Sequence, residues 1–333
     1  MLSKTVRFHK TGGPEVLCFE SMEVDEPGPG EMRLRIEAIG LNRAEVAFRE
    51  GYYLDPPKLP ARIGYEASGV VEALGKDVTG FSVGDAVCVI PGFSMNQYGV
   101  YAERALVPAS AVLKRPAGLS PAAASSIWMQ YLTAYGALVD IAKIGRGDTV
   151  LITAASSSVG LASIQICNAV GAIPIAVTRT EEKAEALRKH GAAHVIVTDK
   201  QDLLAEVMRI TEKKGARVAF DAVVGPIVTT LAAALAPQGM LILYGNLSGK
   251  KNETLLPFGP MLGKGLTLRG YVVFEIIHNA QRLAAARQFI EQGLQSGKLV
   301  PVIDRTFTFD QIAAAHRYLE SNQQLGKIVV TVP

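Results

Sequence analysis

The hydrophobic and polar positions of this chain form two different patterns. Residues 1–115 contain short segments, such as 32–38, in which apolar and charged residues alternate, and Pro and Gly separate these segments. Alternation with a period of two predicts half-exposed strands, and residues 43–50 have the pattern of a short helix. From Ser120 onward, continuous apolar runs alternate with Ala-rich stretches of helical period. We therefore expect a β-rich N-terminal part followed by an α/β part.

The α/β part is expected to form a doubly wound parallel sheet. Six apolar runs are separated by helical segments at 181–190, 203–211 and 228–235, and strands joined by crossover helices pair in parallel. A helix at 280–295 and strand-like runs at 302–308 and 328–332 follow. We assign residues 1–125 and 280–333 to the first domain and 126–279 to the second. The six strands are expected at 149–153, 173–177, 195–197, 218–221, 240–244 and 266–271.

The stretch 149–178, which contains no charged residue, organises the second domain. Its first strand leads into a small-residue turn (154–158), and Val159-Gly160 begin a helix that ends at Gly171. Such a unit places a pyrophosphate on a helix N-terminus. The usual G-x-G-x-x-G turn is incomplete, because its first two glycine positions hold Ala or Ser and only Gly160 remains. Taken alone, the turn fits either a cofactor site or an ordinary crossover without a ligand.

Composition and charge narrow the class of protein. The chain has 333 residues, 49% hydrophobic and 20% charged, which indicates a globular protein of about two domains. A net charge of +3 is too small to indicate nucleic acid or an anionic membrane as a partner. Cys18, Cys88 and Cys167 form no CxxC motif, which favours a reducing cytoplasmic setting. The start of the chain lacks the apolar segment of a signal peptide, and the charge-free stretches 116–139 and 149–178 are interrupted as buried core would be.

Several short motifs together resemble one known family. In their order and spacing the chain resembles the medium-chain dehydrogenase/reductase superfamily over nearly its whole length, and most of all its zinc-independent quinone oxidoreductase branch, which includes enoyl reductases. The resemblance implies a GroES-like catalytic domain, a Rossmann nucleotide-binding domain, and a homodimer formed by edge strands at 266–271. The motifs are Gly40-Leu41-Asn42, Gly64-Tyr65-Glu66-Ala67-Ser68-Gly69, Gly80-Phe81-Ser82-Val83-Gly84-Asp85, Thr133-Ala134-Tyr135, Ala155-Ser156-Ser157-Ser158-Val159-Gly160 and Gly326-Lys327-Ile328-Val329.

The resemblance also allows the zinc question to be addressed. Zinc-dependent members carry Cys at the position of Asn42, His at the position of Tyr65, and a four-Cys lobe where this chain has only Cys88. Catalytic zinc needs about three protein ligands of Cys, His or carboxylate type, and Glu66 alone cannot supply them. We therefore expect no metal. Without a Lewis acid, reduction of a polarised double bond or a quinone is favoured over alcohol oxidation.

The end of the second strand indicates which nicotinamide cofactor is used. NAD enzymes place an acidic residue there for the ribose 2′-hydroxyl, whereas this chain has Thr178, Arg179 and Thr180, followed by Lys183. Cationic and hydroxyl groups favour the 2′-phosphate of NADPH. The resemblance places Lys183 at a phosphate-contacting position. The alternative is that Arg179 and Lys183 are a solvated helix start paired with the two adjacent glutamates.

Other cofactor contacts are implied by the resemblance. Asn42 and Thr133 are expected at the nicotinamide end, and Ser156, Ser157, Ser158, Val159 and Gly160 at the pyrophosphate turn. Tyr244, Gly245 and Asn246 lie at a strand end of the sheet, and Gly225 borders the adenosine side. Phe274 falls in a loop that closes over the nicotinamide, and the alternative for it is a core aromatic residue.

The expected chemistry needs hydrogen-bond donors and a proton source rather than a nucleophile. Tyr52 and Tyr53 are candidates, and in related enoyl thioester reductases a Tyr proposed as proton donor occupies the place of Tyr53. Asn42 is the second candidate catalytic residue. Bacterial quinone reductases have another Tyr where this chain has Ala47. Further residues that either line the cavity or only pack are Tyr65, Tyr98, Tyr101, Trp128 and Gln130.

The leading hypothesis is a zinc-independent, NADPH-dependent reductase of a quinone or an α,β-unsaturated carbonyl compound. One alternative is an enoyl-thioester reductase, for which Arg43, Arg49, Lys250 and Lys251 are candidate contacts to a substrate phosphate. Another is a non-catalytic NADPH-binding sensor or structural protein, which the incomplete glycine turn mildly favours.

Overall fold

A computed structural model describes residues 1–249 and 254–333, which form two compact units. Unit 1 comprises Met1–Met129 and Pro301–Pro333, and unit 2 comprises Gln130–Val300. This division differs from the predicted domain boundaries at residues 126–129, which belong to unit 1, and at residues 280–300, which belong to unit 2.

The strands and helices are named here in chain order. The strands are β1 (Leu2–Phe8), β2 (Cys18–Glu23), β3 (Glu31–Gly40), β4 (Ala61–Arg62), β5 (Glu66–Leu74), β6 (Ala86–Val89), β7 (Arg104–Pro108), β8 (Val112–Lys114), β9 (Thr149–Ile152), β10 (Ile173–Thr178), β11 (His194–Val197), β12 (Ala216–Asp221), β13 (Leu235–Leu243), β14 (Thr267–Gly270), β15 (Ile303–Thr308) and β16 (Lys327–Thr331). The helices are α1 (Arg43–Glu50), α2 (Pro121–Ala124), α3 (Trp128–Tyr135), α4 (Ser158–Val170), α5 (Ala184–Lys189), α6 (Leu203–Ile210), α7 (Ile227–Ala234), α8 (Phe258–Lys264), α9 (Phe274–Ile277), α10 (Ala280–Gln295) and α11 (Ile312–Glu320).

Unit 1 is built around β3, the longest of its strands. This strand pairs antiparallel with β5, β7 and β16, and the sheet has the order β15-β16-β3-β5-β6-β8, with β7 also on β3. A separate three-stranded sheet has the order β2-β1-β4. The alternating pattern of β3 buries Met32, Leu34 and Ile36. The C-terminal strands therefore complete the β-rich unit, as the composition of both chain ends indicated.

Unit 2 contains the predicted six-stranded sheet. Its order is β11-β10-β9-β12-β13-β14, and every neighbouring pair is parallel. The central strand β9 is buried because Val150, Leu151 and Ile152 are covered by the flanking helices. The doubly wound arrangement is confirmed. It brings the carboxyl ends of β9, β10, β12 and β13 to one edge, where ligands bind in such folds.

Element boundaries follow the strength of the sequence pattern. The bounds of α1 and α10 agree with the predicted ones, whereas α8 and α9 were not predicted. The α8 sequence contains Pro and two Gly, and α9 has only four residues, so neither carries a helical period. Helix α3 ends at Tyr135, and the chain continues as a π-helical turn, Gly136–Ile141. Across the described residues, none of the helices combines the length and apolar character that a membrane crossing requires.

Candidate functional site

The small-residue turn of unit 2 connects β9 to the first turn of α4. Ser157 is the N-cap residue of α4, and its hydroxyl accepts a hydrogen bond from the Gly160 N–H at 3.1 Å. The N–H groups of Ser158 and Val159 in the first helical turn have no intrahelical acceptor, and the positive end of the helix dipole lies there. The turn therefore offers an anion-binding helix N-terminus.

Two backbone features give this turn the shape of a glycine turn. A Cβ atom on Gly160 would lie 2.4 Å from the Ala155 carbonyl oxygen, so only glycine fits where α4 approaches the turn. Ala154 has φ +46°, in the left-handed region that favours glycine, and this conformation costs roughly 1–2 kcal/mol for a residue with a Cβ. Gly160 thus permits the close approach of helix and turn, and Ala154 adopts, with strain, the left-handed conformation that a glycine would adopt freely.

A buried aspartate that the sequence analysis did not single out ties this turn to the loop after β12. Asp221 Oδ1 accepts from Thr153 Oγ1 at 2.5 Å and from Val223 N at 3.0 Å, while Oδ2 accepts from Val224 N at 2.9 Å. Thr153 Oγ1 in turn accepts from Ala222 N at 3.0 Å. Val224 has φ +56°, which is rare for a β-branched residue. The signal in the sequence was a carboxylate that ends an apolar strand.

Tyr244 and its neighbours lie at the end of β13. The Tyr244 ring stacks on Phe220 with 3.9 Å between ring centroids. Burial raises the pKa of the Tyr244 hydroxyl, and the nearby Ser157 hydroxyl opposes this rise. The Tyr244 hydroxyl makes no hydrogen bond of standard geometry within the described part of the chain. A Cβ on Gly245 would lie 2.8 Å from the Ala222 carbonyl oxygen, so these strand ends approach closely.

The remaining residues expected at this edge are positioned by short loops. Gly225 has φ +71°, and its N–H donates to Thr254 Oγ1 at 3.1 Å. The Asn246 side chain accepts from Ser248 Oγ at 3.3 Å.

The end of β10 carries the groups expected to select the cofactor. Thr178 is buried at the strand end, whereas Arg179 and Thr180 are exposed. Lys183 Nζ donates to Ser156 Oγ at 3.1 Å, so this lysine reaches the small-residue turn. A cation and a hydroxyl therefore stand beside the helix N-terminus of α4.

The two glutamates offered as alternative partners for Arg179 and Lys183 have other contacts. Glu181 forms an exposed ion pair with Lys200 at 3.4 Å. A hydrogen bond from Thr180 lowers the pKa of Glu182.

Two further residues of unit 2 were expected near the nicotinamide. Thr133 is buried on α3. Phe274 begins α9, is half-buried, and stacks on His278 with 5.6 Å between ring centroids. Phe274 is thus not a fully buried core aromatic.

Unit 1 contains a group of buried polar side chains, called here the lysine cluster (Asn42, Glu45, Glu66 and Lys327). Lys327 Nζ lies 2.5 Å from Glu66 Oε2 and 2.5 Å from Asn42 Oδ1. The Lys327 and Glu66 side chains are both completely buried. The Asn42 amide nitrogen donates to the Gly40 carbonyl at 3.0 Å and to Glu45 Oε1 at 3.3 Å. Both ends of the Asn42 amide are therefore held by neighbouring groups.

The register of three strands creates the space for this cluster. Gly40 on β3 pairs with Val329 on β16 and with Glu66 on β5. A Cβ on Gly40 would lie 1.9 Å from the Ser125 carbonyl oxygen and 2.8 Å from Lys327 Cε. The missing side chain of Gly40 thus admits the lysine to the interior.

Glu45 is the least satisfied member of the lysine cluster. Its Oε1 accepts from Tyr65 N at 3.1 Å, while its Oε2 is buried without a partner within the described residues. Burial raises the pKa of Glu45 to about 7, although Lys327 acts in the opposite direction. The carboxyl group therefore changes protonation near neutral pH, although it lies wholly inside the protein.

The residues at the zinc-ligand positions of the family do not fit a zinc ion. Asn42 Oδ1 and Glu66 Oε2 are both occupied by the Lys327 ammonium group, whose charge would repel a dication. Tyr65 is a neutral phenol, since burial raises its pKa. Zinc binds thiolate, imidazole and carboxylate groups. Among Asn42, Tyr65 and Glu66 the one such group is the Glu66 carboxylate, and it is bonded to the Lys327 ammonium group.

A row of aromatic rings lies beside the lysine cluster in unit 1. Phe48, Tyr53, Tyr65 and Phe93 follow one another with centroid distances of 6.5, 6.1 and 5.6 Å. Burial raises the pKa of Tyr53 to about 12, and a hydrogen bond from Tyr65 lowers it. The same hydrogen bond raises the pKa of Tyr65. Tyr53 is therefore the more acidic hydroxyl of the pair.

Other candidates serve packing or surface roles. Tyr101 is buried, and its hydroxyl lies 3.3 Å from His316 Nε2. Arg49 is also buried; it contacts His316 Nδ1 at 3.0 Å and Glu320 at 2.8 Å, so it is a core residue rather than a phosphate contact. Arg43 donates to the Leu319 carbonyl at 2.7 Å.

The other residues proposed for the cavity or for a phosphate contact differ in their surroundings. Trp128 and Gln130 are buried, and Tyr98 Oη donates to Glu31 Oε1 at 2.6 Å. Tyr52 is 45% exposed. Lys250 and Lys251 lie outside the described residues.

Comparisons with known proteins agree with this geometry. Residues 28–117 match the family described as alcohol dehydrogenase GroES-like domain, and residues 158–292 match that described as zinc-binding dehydrogenase. A quinone oxidoreductase of Pseudomonas aeruginosa is 34% identical over 74% of this chain and 75% of the relative. A 2-haloacrylate reductase of Burkholderia sp is 36% identical over 72% of each. The Escherichia coli quinone oxidoreductase in complex with NADPH has a TM-score of 0.92 and 28% identity, covering 98% of this chain and 99% of that one.

Proposed function

Because the chain belongs to the quinone oxidoreductase-like branch of the medium-chain dehydrogenase/reductase superfamily, we propose that it is an NADPH-dependent, zinc-independent reductase of quinones or α,β-unsaturated carbonyl compounds. The observation that carries this proposal is the lysine cluster, in which an ammonium group is bonded to Asn42 and Glu66. With no fit for a Lewis acid, polarisation of the acceptor must come from hydrogen-bond donors. Acceptors that are already electron-poor suit such a site.

Cofactor binding is assigned to unit 2. The N–H groups of Ser158 and Val159 would bind the pyrophosphate, and the buried Tyr244 hydroxyl is a donor or acceptor for a neighbouring oxygen. NADPH, when bound, supplies the hydride. We assign contacts at the nicotinamide to Thr133 and Phe274, on the adenosine side to Gly225, and at the end of β13 to Gly245 and Asn246.

Selection of NADPH is assigned to Arg179, Thr180 and Lys183. The hydrogen bond from Lys183 to Ser156 directs the ammonium toward the phosphate-binding turn. Replacing Arg179 with Asp should lower the preference for NADPH over NADH by at least about tenfold in kcat/KM, since a carboxylate repels the 2′-phosphate. Arg188→Asp, at an exposed position of α5, is the matched control. Unchanged cofactor preference in Arg179→Asp would remove this assignment.

Proton delivery is assigned to Tyr53. Its hydroxyl is neutral at pH 7 and can donate a hydrogen bond to the acceptor oxygen, on which negative charge develops. The bond from Tyr65 stabilises negative charge on Tyr53 while the proton moves. We assign Asn42 a positioning role at the nicotinamide end, because its amide is held by Lys327 and Glu45.

A small panel of assays tests the proposed function. NADPH oxidation is measured with 1,4-benzoquinone, a 2-enone and an enoyl thioester, for the wild type and Tyr53→Phe. We expect turnover of the first two acceptors, and a fall of about 10²-fold or more in enone turnover for Tyr53→Phe. Turnover of the thioester alone would favour an enoyl-thioester reductase. Tight NADPH binding without turnover of any acceptor would favour a sensor.

A homodimer is proposed through the edge of the unit 2 sheet. Strand β14 ends the sheet order, and exposed apolar side chains precede and form α8 nearby in the chain. Leu255, Phe258 and Leu262 are 79%, 66% and 73% exposed, which is unusual for side chains of this size. Light scattering should give twice the chain mass, and Phe258→Asp with Leu262→Asp should give monomers. A monomeric wild type would exclude this dimer.

A reducing compartment such as the cytoplasm is proposed as the location. Cys18, Cys88 and Cys167 are all free thiols in this structure. Fractionation of the cells of origin would test this assignment, and recovery of the protein from an oxidising compartment would contradict it.

A further inference from the structure

The hairpin of β1 and β2 carries a group of metal-ligating side chains that the proposed reaction does not use. His9, Cys18 and Glu20 place one ligand atom each within 4.8 Å of the other two. Glu20 Oε1 is hydrogen-bonded to His9 Nε2 and lies 3.8 Å from Cys18 Sγ. The three side chains thus converge on one point.

This convergence follows from the register of the two strands. Cys18 pairs with Arg7 across the hairpin. Residues two apart in a strand point to the same face, so Cys18 and Glu20 share the face of Arg7. His9 comes two residues after Arg7 and extends the same row. Strand pairing thereby fixes Cys18 and Glu20 on one face, and His9, the first residue after β1, reaches the same side of the hairpin.

The surroundings of Glu20 resemble those of a metal-bound carboxylate. Arg7 donates to Glu20 Oε2 at 2.8 Å and to the Pro60 carbonyl oxygen at 3.0 Å. This pairing orients the carboxylate and directs Oε1 toward His9 and Cys18. Ligating carboxylates in metal sites are commonly held in this way by a second hydrogen-bonding group. Arg7 therefore orients the Glu20 carboxylate, and Glu20 Oε2 balances the positive charge of Arg7.

We propose that His9, Cys18 and Glu20 form a binding site for a thiophilic divalent cation of the zinc type. Zinc accepts imidazole, thiolate and carboxylate ligands with bonds of about 2.0–2.3 Å, which puts ligand atoms roughly 3.3–3.6 Å apart in a tetrahedron. Small side-chain rotations bring the three atoms to this spacing. The cation lies between the three ligand atoms: His9 binds through Nε2 as the neutral tautomer that carries its proton on Nδ1, and the Cys18 thiol releases one proton to solvent. Water completes the coordination.

Thiol reactivity gives a direct readout of this site in the full-length, tag-free protein. Cys88 and Cys167 are buried, whereas Cys18 is partly exposed, so Cys18 is expected to be the single fast-reacting thiol with 5,5′-dithiobis(2-nitrobenzoic acid). One equivalent of ZnCl2 should slow that reaction at least tenfold, and EDTA should restore it. Calorimetry with ZnCl2 should give one site per chain.

Matched variants separate the site from adventitious binding. Cys18→Ser should abolish the calorimetric signal, and His9→Gln or Glu20→Gln should weaken zinc binding at least tenfold. His194→Gln, at an exposed histidine elsewhere, and Glu23→Gln, at an exposed glutamate on the same strand, should bind as the wild type does. Zinc that leaves the Cys18 rate unchanged, or that binds Cys18→Ser with wild-type affinity, would overturn the proposal. Since these residues lie outside the assigned catalytic groups, Cys18→Ser should keep full reductase activity.

Discussion

The lysine cluster of unit 1 and the small-residue turn of unit 2 are held together by different interactions. The cluster buries three ionisable groups and holds them with side-chain contacts between residues far apart in sequence, such as Lys327 and Glu66. The turn contains no charge at all and depends on local backbone geometry, in particular at Ala154 and Gly160. Both regions depart from the usual patterns of the superfamily, one in metal ligands and one in glycines.

The two regions tolerate different kinds of departure from the superfamily pattern. In the cluster, an ammonium group compensates the carboxylate, and a single unpaired partner would be costly because water cannot reach it. In the turn, a Cβ is accepted at the cost of strain at Ala154 but is excluded at Gly160, where the Ala155 carbonyl is too close. Substitutions should therefore have large effects on stability in unit 1 and smaller, more local effects in unit 2.

The largest effect is expected when the buried ion pair is broken. Lys327→Met leaves the Glu66 carboxylate buried without its counter-ion, which should lower the free energy of unfolding by about 3–5 kcal/mol. Urea denaturation measures this change. The double variant Lys327→Met with Glu66→Gln removes both charges and should recover more than half of the loss. A single variant within about 1 kcal/mol of the wild type would show that the pair contributes little.

The next effect is a pH dependence that comes from Glu45. Its folded-state pKa of about 7 is above the usual value of 4.5, so the folded state binds the proton more tightly. Stability from this group is complete below about pH 4.5, decreases as pH rises, and is lost above about pH 7, an overall change on the order of 3 kcal/mol.

Glu45→Gln should therefore remove this slope in denaturation curves recorded from pH 4.5 to 8. Glu50→Gln, at an exposed position on the same helix, is the control that should retain it. An identical slope in Glu45→Gln and the wild type would contradict the assignment.

A smaller effect is expected at the helix N-terminus of unit 2. Gly160→Ala places a Cβ 2.4 Å from the Ala155 carbonyl oxygen, so the turn must shift, which should cost about 1–3 kcal/mol of stability and weaken NADPH binding at least tenfold. Fluorescence titration measures the binding. Gly145→Ala, where an added Cβ meets nothing, is the control. Wild-type NADPH affinity in Gly160→Ala would argue against pyrophosphate binding at this turn.

The smallest effect concerns the strain at Ala154. Ala154→Gly relieves the positive φ, but it also increases the entropy of the unfolded chain, so a net stabilisation of about 0.5 kcal/mol is expected. Thermal unfolding measures it. Ala155→Gly changes the neighbouring buried residue without relieving any positive φ and should destabilise. Destabilisation by both variants would show that Ala154 is not strained.

The candidate site was predictable in its parts but not in its connections. Residue type and spacing singled out the turn, and the family resemblance singled out Lys183 and Tyr53, whose roles stay predictions. The sequence did not predict that the Lys327 ammonium group occupies the metal-ligand positions. Lys327 and Asn42 are 285 residues apart and are brought together only by strand register. The role of Asp221 was missed for the same reason, since its partner Thr153 belongs to a neighbouring strand.

The sequence by itself determined the six-stranded parallel sheet and the bounds of α1 and α10, because periodicity is a local property. The resemblance to the superfamily added that Asn42 and Tyr65 stand where zinc-dependent members carry ligands. Only the tertiary structure decided which charges are buried together and which oxygens lack partners. These properties depend on the packing of distant strands, which sequence spacing does not specify. The protonation of Glu45 near neutral pH is the clearest case, because desolvation exists only once Tyr65, Asn42 and Lys327 surround that carboxyl group.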